Sequence, residues 1–226
     1  MNNTRRIART AIVILLACVG WLIALGDGTD IDTDIQPRAV ASSCPLSMSF
    51  AVGGFTDPFA MQVPRVPAGA RTNIIYPASI APAGPVSGDE SIRRAKAELD
   101  RSARAFRLRC PISTVRVIAY SLGAAAASDV CTAWQSDRQM QLNTTCALIG
   151  NPKRPLAADG KGGIMGQLPT ILPGLTHTGF RPLTAGPIEI TEICNARDLY
   201  CSATRDRGQL ADAAFGTYLM GTHTSY

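Results

Sequence analysis

Histidine is scarce in this chain of 226 residues, and its scarcity limits the chemistry that the protein can perform. The two histidines, His177 and His223, lie far apart in the sequence, and neither belongs to a cluster with the spacing of metal ligands. We therefore expect no metal site, because a zinc site needs several such ligands grouped together. The P-loop and the glycine-rich dinucleotide fingerprint are also missing, so we expect no cofactor.

The sequence also lacks a dense cluster of basic residues. Its 22 lysines and arginines outnumber 17 acidic residues by five, but they are scattered, and aromatic residues make up only 6%. Nucleic-acid binding usually needs a basic patch or stripe, so we expect no nucleic-acid partner. Hydrophobic residues make up 46% of the chain, which is enough to bury a sizeable core and argues against disorder.

Long apolar runs are absent, with one exception near the N-terminus. The run AIVILLACVGWLIALG covers residues 11–26 and follows the positively charged stretch MNNTRRIART. This order is typical of a signal peptide, and Ala39-Val40-Ala41 offers a cleavage pattern, although an uncleaved membrane anchor at 11–26 is the alternative. We expect residues 1–41 to be this targeting segment plus a linker, and residues 42–226 to form the folded domain of a secreted or envelope-bound protein.

Seven cysteines are present, and one of them, Cys18, lies within the apolar run. An even number of cysteines in an exported domain indicates disulfide bonds. Six cysteines allow 15 pairings, and spacing alone selects none of them. The six are Cys44, Cys110, Cys131, Cys146, Cys194 and Cys201.

Strand patterns alternate with helical patterns along the domain. Apolar stretches predict strands at 46–52, 71–78, 113–120, 146–152 and 187–194. Helical spacing predicts helices at 87–106 and 122–135, with a last helix within 208–220. This alternation predicts an α/β fold of three layers, in which helices cover both faces of a mostly parallel sheet. Residues 152–187 are rich in glycine and proline, and either a functional loop or an ordinary surface excursion fits them.

The segment from Val115 to Ala127 has the pattern of a nucleophile elbow. An apolar strand leads directly to Ser121, and Gly123 and four alanines follow. Ala119 stands where the G-x-S-x-G pattern has its first glycine, but it is still small. Such a turn presents the serine hydroxyl at the carboxyl edge of the sheet, near the positive end of a helix. The alternative is a serine in an ordinary strand–helix turn.

A serine nucleophile needs a base, and chain order favours His223. In α/β-hydrolases the acid lies between the serine and the histidine in the sequence. His223 follows every candidate acid, whereas His177 could pair only with an earlier one. The alternative is a histidine in a mobile tail.

The candidate acid is Asp198, which follows the predicted strand at 187–194. Cys194 and Cys201 bracket it, and a short disulfide loop there would hold the carboxylate toward the imidazole. The rival acids are Asp206 and Asp212, with Glu192 less favoured because it lies within the strand.

Two backbone N–H groups are candidates for an oxyanion hole. The N–H of Leu122, directly after the serine, would be the first donor. The second would come from Gly54 or Phe55 in the loop after the first strand, where glycine lets the backbone approach a ligand closely. A plain turn is the alternative for that loop.

These segments together resemble the cutinase family and its actinobacterial relatives, including the hydrolase domain attached to PE and PPE proteins. The resemblance is carried by FAVGGFTDP, IIYPA, VIAYSLGAAAASDV, LIGNPKRP and, above all, CNARDLYC followed by a late histidine. It covers residues 44–226. Two departures are Ala119 in the elbow and a spacing from Asp198 to His223 that is longer than in typical cutinases.

The resemblance implies a compact α/β-hydrolase fold with an exposed serine and little or no lid. It implies disulfides Cys44–Cys110 and Cys194–Cys201, which leaves Cys131 with Cys146. It also implies an enzyme that hydrolyses carboxylic esters of acyl chains or lipids without a cofactor.

We therefore predict an exported, monomeric serine esterase, which could associate with a membrane or with the cell envelope. Its catalytic triad would be Ser121, Asp198 and His223. Two alternatives stay open: an acyltransferase acting on envelope glycolipids, and a non-catalytic envelope protein on a hydrolase scaffold.

Overall fold

Five parallel strands form a single sheet in the computed structural model of this chain, which describes residues 44–170, 172–206, 208–209 and 221–226. The order across the sheet is β2-β1-β3-β4-β5, and each neighbouring pair is parallel. The strands are β1 (Ser47–Val52), β2 (Arg71–Ile74), β3 (Thr114–Tyr120), β4 (Thr144–Ile149) and β5 (Glu189–Ile193).

The central strands are apolar because side chains on both of their faces are buried. In β3, Val115, Val117 and Ala119 face the larger core, whereas Ile118 faces a smaller cluster on the other side. The sequence of β3 is therefore almost continuously hydrophobic, as expected for a parallel strand covered on both sides.

Two long helices pack against the larger core. Helix α1 (Gly88–Arg109) is capped by Ser87, whose hydroxyl accepts a hydrogen bond from the Glu90 N–H, and it buries a stripe that includes Leu99 and Phe106. Helix α2 (Leu122–Trp134) is buried along most of its length, which its run of small alanines allows. A short helix, α3 (Ile164–Gln167), lies in the glycine- and proline-rich segment.

The second face of the sheet is covered, as far as the structure describes it, by the loop after β1 and by the end of the chain. Ala60 and Val63 from that loop pack with Ile118 and Ile149, and Tyr226 adds its ring. The helix predicted within 208–220 lies outside the described residues, apart from positions 208 and 209. The predicted α/β class with a parallel sheet is confirmed.

All predicted strands and the two predicted long helices that fall on described residues are confirmed, with shifted ends. Strand β2 ends at Ile74 instead of residue 78, because the chain leaves the sheet edge and the Tyr76 N–H binds the carbonyl of Pro58. Strand β4 ends at Ile149, because Gly150 adopts a φ of 57° and turns the chain.

The segment 152–187 is fastened to the domain. The Gly162 N–H donates to the carbonyl of Ala203, and the Ile164 N–H donates to that of Tyr200. Ile164, Met165 and Leu168 join the larger core. The two interpretations of this segment, functional loop or surface excursion, both stay predictions.

Three disulfides tie the domain together: Cys44–Cys110, Cys131–Cys146 and Cys194–Cys201. These are the pairs that the resemblance implies. Within the described ranges, no helix is both long enough and apolar enough to cross a bilayer. The apolar run at 11–26 and Cys18 lie outside those ranges.

Arg107, near the end of α1, fastens the starts of β3 and β4. The residue is 5% exposed, and its guanidinium donates to five oxygens, four of them backbone carbonyls. Burial lowers the pKa of this guanidinium from its ordinary value. The acceptors are the carbonyls of Pro111, Ser113, Leu142 and Asn143 and the hydroxyl of Thr144.

We predict that Arg107→Met lowers the free energy of unfolding by about 3 kcal/mol, since five buried or partly buried oxygens lose their donor. Urea denaturation followed by circular dichroism measures the change. Arg109→Met is the matched control, because Arg109 is exposed and the change there should stay within about 0.5 kcal/mol. Equal effects of the two substitutions would contradict this role of Arg107.

Candidate active site

Ser121 occupies the sharp turn between β3 and α2. Its φ of 54° and ψ of −121° are unusual for a residue with a side chain, and such strain is concentrated at functional sites. The Ser121 N–H donates to the carbonyl of Ile149, and the Ser121 carbonyl accepts from the Ala125 N–H. Strand β4 and helix α2 therefore hold the strained residue from both sides.

Small neighbours are required at this turn because the end of β1 passes close by. A Cβ atom at Gly123 would overlap the carbonyl oxygen of Gly53, so no side chain fits there. Ala119 is fully buried between Val52 of β1 and Leu148 of β4. The departure from the usual first glycine of the elbow therefore adds one methyl group to a site that accommodates it.

The structure brings Ser121, His223 and Asp198 together, although the three are distant in sequence. His223 Nε2 lies 2.7 Å from Ser121 Oγ, and His223 Nδ1 lies 2.8 Å from Asp198 Oδ2. Asp198 is 0% exposed, His223 2% and Ser121 8%, so water is largely excluded from the two inner members. His177 lies elsewhere, where its Nδ1 is 2.9 Å from the carbonyl oxygen of Leu168.

Two tyrosine rings restrain the imidazole of His223. The ring of Tyr120 stacks on it with centroids 5.1 Å apart, and the ring of Tyr200 lies 4.4 Å away. The Tyr120 hydroxyl also donates to the backbone carbonyl of His223. The imidazole is thus held by its neighbours as well as by its two ring nitrogens.

Gly150 lies beside the same imidazole. A Cβ atom there would be 3.0 Å from His223 Cε1 and 3.2 Å from Asp198 Oδ2. The residue also has a φ of 57°, which favours glycine. Sequence reasoning missed this residue, since a glycine after a strand is ordinarily just the start of a turn.

Asp198 is fixed within the loop that the disulfide Cys194–Cys201 closes. Its Oδ1 accepts from the Tyr200 N–H at 2.9 Å, and its backbone carbonyl accepts from the Ser202 N–H. Its Oδ2 accepts from His223. The disulfide between the bracketing cysteines thus closes the loop in which this carboxylate lies beside the imidazole.

A further residue that the sequence did not reveal is Tyr226. Its hydroxyl donates to Asp198 Oδ2. Burial, followed by the neighbouring carboxylate, raises the pKa of Tyr226 above its ordinary value, so the phenol stays protonated and neutral. The only sequence feature that could have pointed to this contact is the closeness of Tyr226 to His223 along the chain.

The rival acids are not placed beside His223 where the structure describes them. Asp206 Oδ1 accepts from the Gly208 N–H, and Asp212 lies outside the described residues. Glu192 forms an ion pair with Arg181 at 3.0 Å. Burial raises the pKa of Glu192 despite this partner.

Two of the three predicted oxyanion donors, Leu122 and Gly54, lie next to Ser121. Leu122 begins α2, where the first N–H groups of a helix have no acceptor within the helix. Gly54 packs directly on the serine, since a Cβ atom there would be 3.0 Å from Ser121 Cβ. The Tyr76 hydroxyl donates to the Gly53 carbonyl at 2.6 Å and holds this loop. The roles of Leu122, Gly54 and Phe55 stay predictions.

Comparison with known proteins identifies a matching family. A family model described as Cutinase matches residues 47–223. A search of the curated proteins gave no match.

In the part of the chain that the structure describes, no group of three metal-ligating side chains is close enough to hold a metal ion.

Solved structures share the fold at low sequence identity. The catalytic core of acetyl xylan esterase from Trichoderma reesei is 16% identical with a TM-score of 0.51, over 80% of this chain and 97% of that one. A cutinase-like protein from Cryptococcus sp. is 18% identical with a TM-score of 0.50, over 80% and 93% of the two chains. Lysin B from Mycobacteriophage D29 is 22% identical with a TM-score of 0.50, over 79% and 74%.

We predict that Gly150→Ala slows the reaction of Ser121 with a fluorophosphonate probe by at least about tenfold, because the new methyl group would displace His223 or Asp198. The labelling rate of the purified protein measures the effect. Gly160→Ala is the matched control, since Gly160 also has a positive φ of 77° but a Cβ atom there meets nothing within 4 Å. Equal slowing in both variants would show that backbone strain alone is responsible.

Proposed function

The chain belongs to the cutinase family of serine hydrolases, and from this we propose that it is an exported serine esterase acting on carboxylic esters of acyl or lipid type. The observation that carries the proposal is the continuous line of hydrogen bonds from Asp198 through His223 to Ser121. Three disulfides support the export part of the proposal, because such bonds persist in oxidising compartments.

In the proposed acylation step, Ser121 Oγ attacks the carbonyl carbon of the ester while His223 Nε2 accepts its proton. The carbonyl oxygen becomes an oxyanion, and the N–H groups of Leu122 and of Gly54 or Phe55 would stabilise it. The tetrahedral intermediate then collapses, His223 protonates the departing alcohol, and an acyl-enzyme remains.

Deacylation repeats these steps with water. His223 removes a proton from the water, the hydroxide attacks the acyl carbonyl, and Ser121 regains its proton as the acid leaves. Asp198 keeps the Nδ1 proton of His223 in place throughout, so that Nε2 is available toward Ser121 as the base. The 2.7 Å separation of Nε2 and Oγ means that this transfer needs no rearrangement.

Ser121→Ala should reduce kcat/KM for p-nitrophenyl acyl esters by at least about a thousandfold, because the nucleophile is removed. Initial rates of p-nitrophenol release measure this. Ser136→Ala is the matched control, because Ser136 is exposed and its hydroxyl contacts only the Ala133 carbonyl at 3.4 Å among the bonds of the described residues. Undiminished turnover by Ser121→Ala would refute the proposal.

Covalent labelling tests the nucleophile without assuming a substrate. A fluorophosphonate probe followed by peptide mapping should place the adduct on Ser121, and Asp198→Asn should slow labelling by about four orders of magnitude because the imidazole adopts the wrong tautomer. A folded protein that takes up no probe would instead support a non-catalytic scaffold.

Supplying a glycolipid acceptor in the ester assay distinguishes hydrolysis from acyl transfer by the ratio of free acid to transfer product.

A further inference from the structure

Two donors converge on one oxygen of the buried carboxylate. Asp198 Oδ2 accepts both from His223 Nδ1 and from the hydroxyl of Tyr226. We propose that Tyr226 is a positioning residue, which fixes Asp198 and lowers the basicity of the His223 imidazole through this second hydrogen bond. The inference rests on the proposed function, since it concerns the base of the same triad.

Among the atoms that contact the Tyr226 hydroxyl, only one is a strong hydrogen-bond acceptor. The Asn195 N–H donates to the hydroxyl oxygen at 3.4 Å, so that contact uses an oxygen lone pair. Cys201 Sγ lies 3.4 Å away, but it is bonded to Cys194 and is at best a weak acceptor. The ionised carboxylate is by far the strongest acceptor, and the hydrogen bond therefore runs from Tyr226 to Asp198.

The position of Tyr226 is itself supported by packing. Its ring contacts that of Tyr120 edge-on, with centroids 6.0 Å apart, and Tyr120 in turn binds the backbone of His223. Tyr226 also joins the smaller core cluster on its face of the sheet. The hydroxyl is thus held toward Asp198 from outside the triad.

The electrostatic consequence follows from the sharing of Oδ2. A carboxylate that accepts a second strong hydrogen bond presents less negative charge to the imidazole, and it stabilises the protonated imidazolium less. Without the Tyr226 hydroxyl, His223 should hold its proton more tightly. The fraction of enzyme molecules in which His223 is unprotonated then falls at mildly acidic pH.

The Tyr226→Phe substitution chemically alters none of the other groups that face the pair. Among the described residues, few other polar or charged side chains face Asp198 and His223. They are the phenols of Tyr120 and Tyr200, the hydroxyl of Ser121, and the Arg154 guanidinium, which donates to the Cys201 carbonyl at 2.8 Å.

The test is Tyr226→Phe in the full chain, which removes one oxygen atom and keeps the ring. We expect kcat for a p-nitrophenyl acyl ester to fall about tenfold while KM changes by less than about twofold, as for loss of a hydrogen bond to a charged group outside the substrate site. The acidic limb of the kcat/KM profile should move to higher pH by about half a unit. A variant that merely loosened the fold would lose activity without moving the limb.

Tyr120→Phe is the matched control. It removes a hydroxyl whose proton is donated to the His223 backbone carbonyl rather than to the Asp198 carboxylate. We expect it to lower kcat or thermal stability and to leave the acidic limb where the unsubstituted protein has it. Equal displacement of the limb in both variants would overturn the assignment to Tyr226.

A second readout separates this inference from the proposed function. In the Ser121→Ala background, the downfield proton resonance of His223 Nδ1–H should shift when Tyr226→Phe is added, whether or not the protein has esterase activity. An unchanged resonance, or an unchanged pH profile in an enzyme that requires Ser121, overturns the inference and leaves the proposed function intact. Full turnover by Ser121→Ala overturns the proposed function, and the resonance then still decides the role of Tyr226.

Discussion

The buried carboxylate of Asp198 is the constraint on which the rest of the site depends. An anion with no exposed surface is costly unless hydrogen bonds satisfy it, and here the donors come from separate parts of the chain. The Tyr200 N–H belongs to the disulfide loop, whereas His223 and Tyr226 belong to the final residues. Satisfying one buried charge therefore draws the chain end onto the sheet, and the imidazole reaches Ser121 as a consequence.

The parallel sheet makes this convergence possible. Because all five strands run in one direction, the loops that follow them meet at one edge. Strand β3 delivers Ser121, β4 delivers Gly150, and β5 leads into the loop that holds Asp198. Arg107 fixes the opposite ends of β3 and β4, so the two strands that carry the serine and the glycine share one anchor.

Sequence reasoning succeeded where the signal is local. The strands and the two long helices follow from hydrophobic periodicity, and the elbow at Ser121 follows from the small residues around it. Asp198 could be found because its cysteines lie within a few positions of it. Tyr226 and Arg107 could not be found, because their partners are distant in sequence and nothing beside them marks the contact. Such roles depend on tertiary packing alone.

The site combines two energetically costly features, which lie on opposite sides of the same imidazole. The positive-φ backbone of Ser121 costs about 1–3 kcal/mol, and the buried charge of Asp198 adds its own desolvation cost. Neither feature helps packing by itself, since a glycine would relax the turn and an apolar residue would relieve the charge. They are tolerable because α2 and the disulfide loop hold each of them rigidly. Under the proposed function, the fold maintains both costs on the two sides of one histidine for the sake of proton transfer rather than stability.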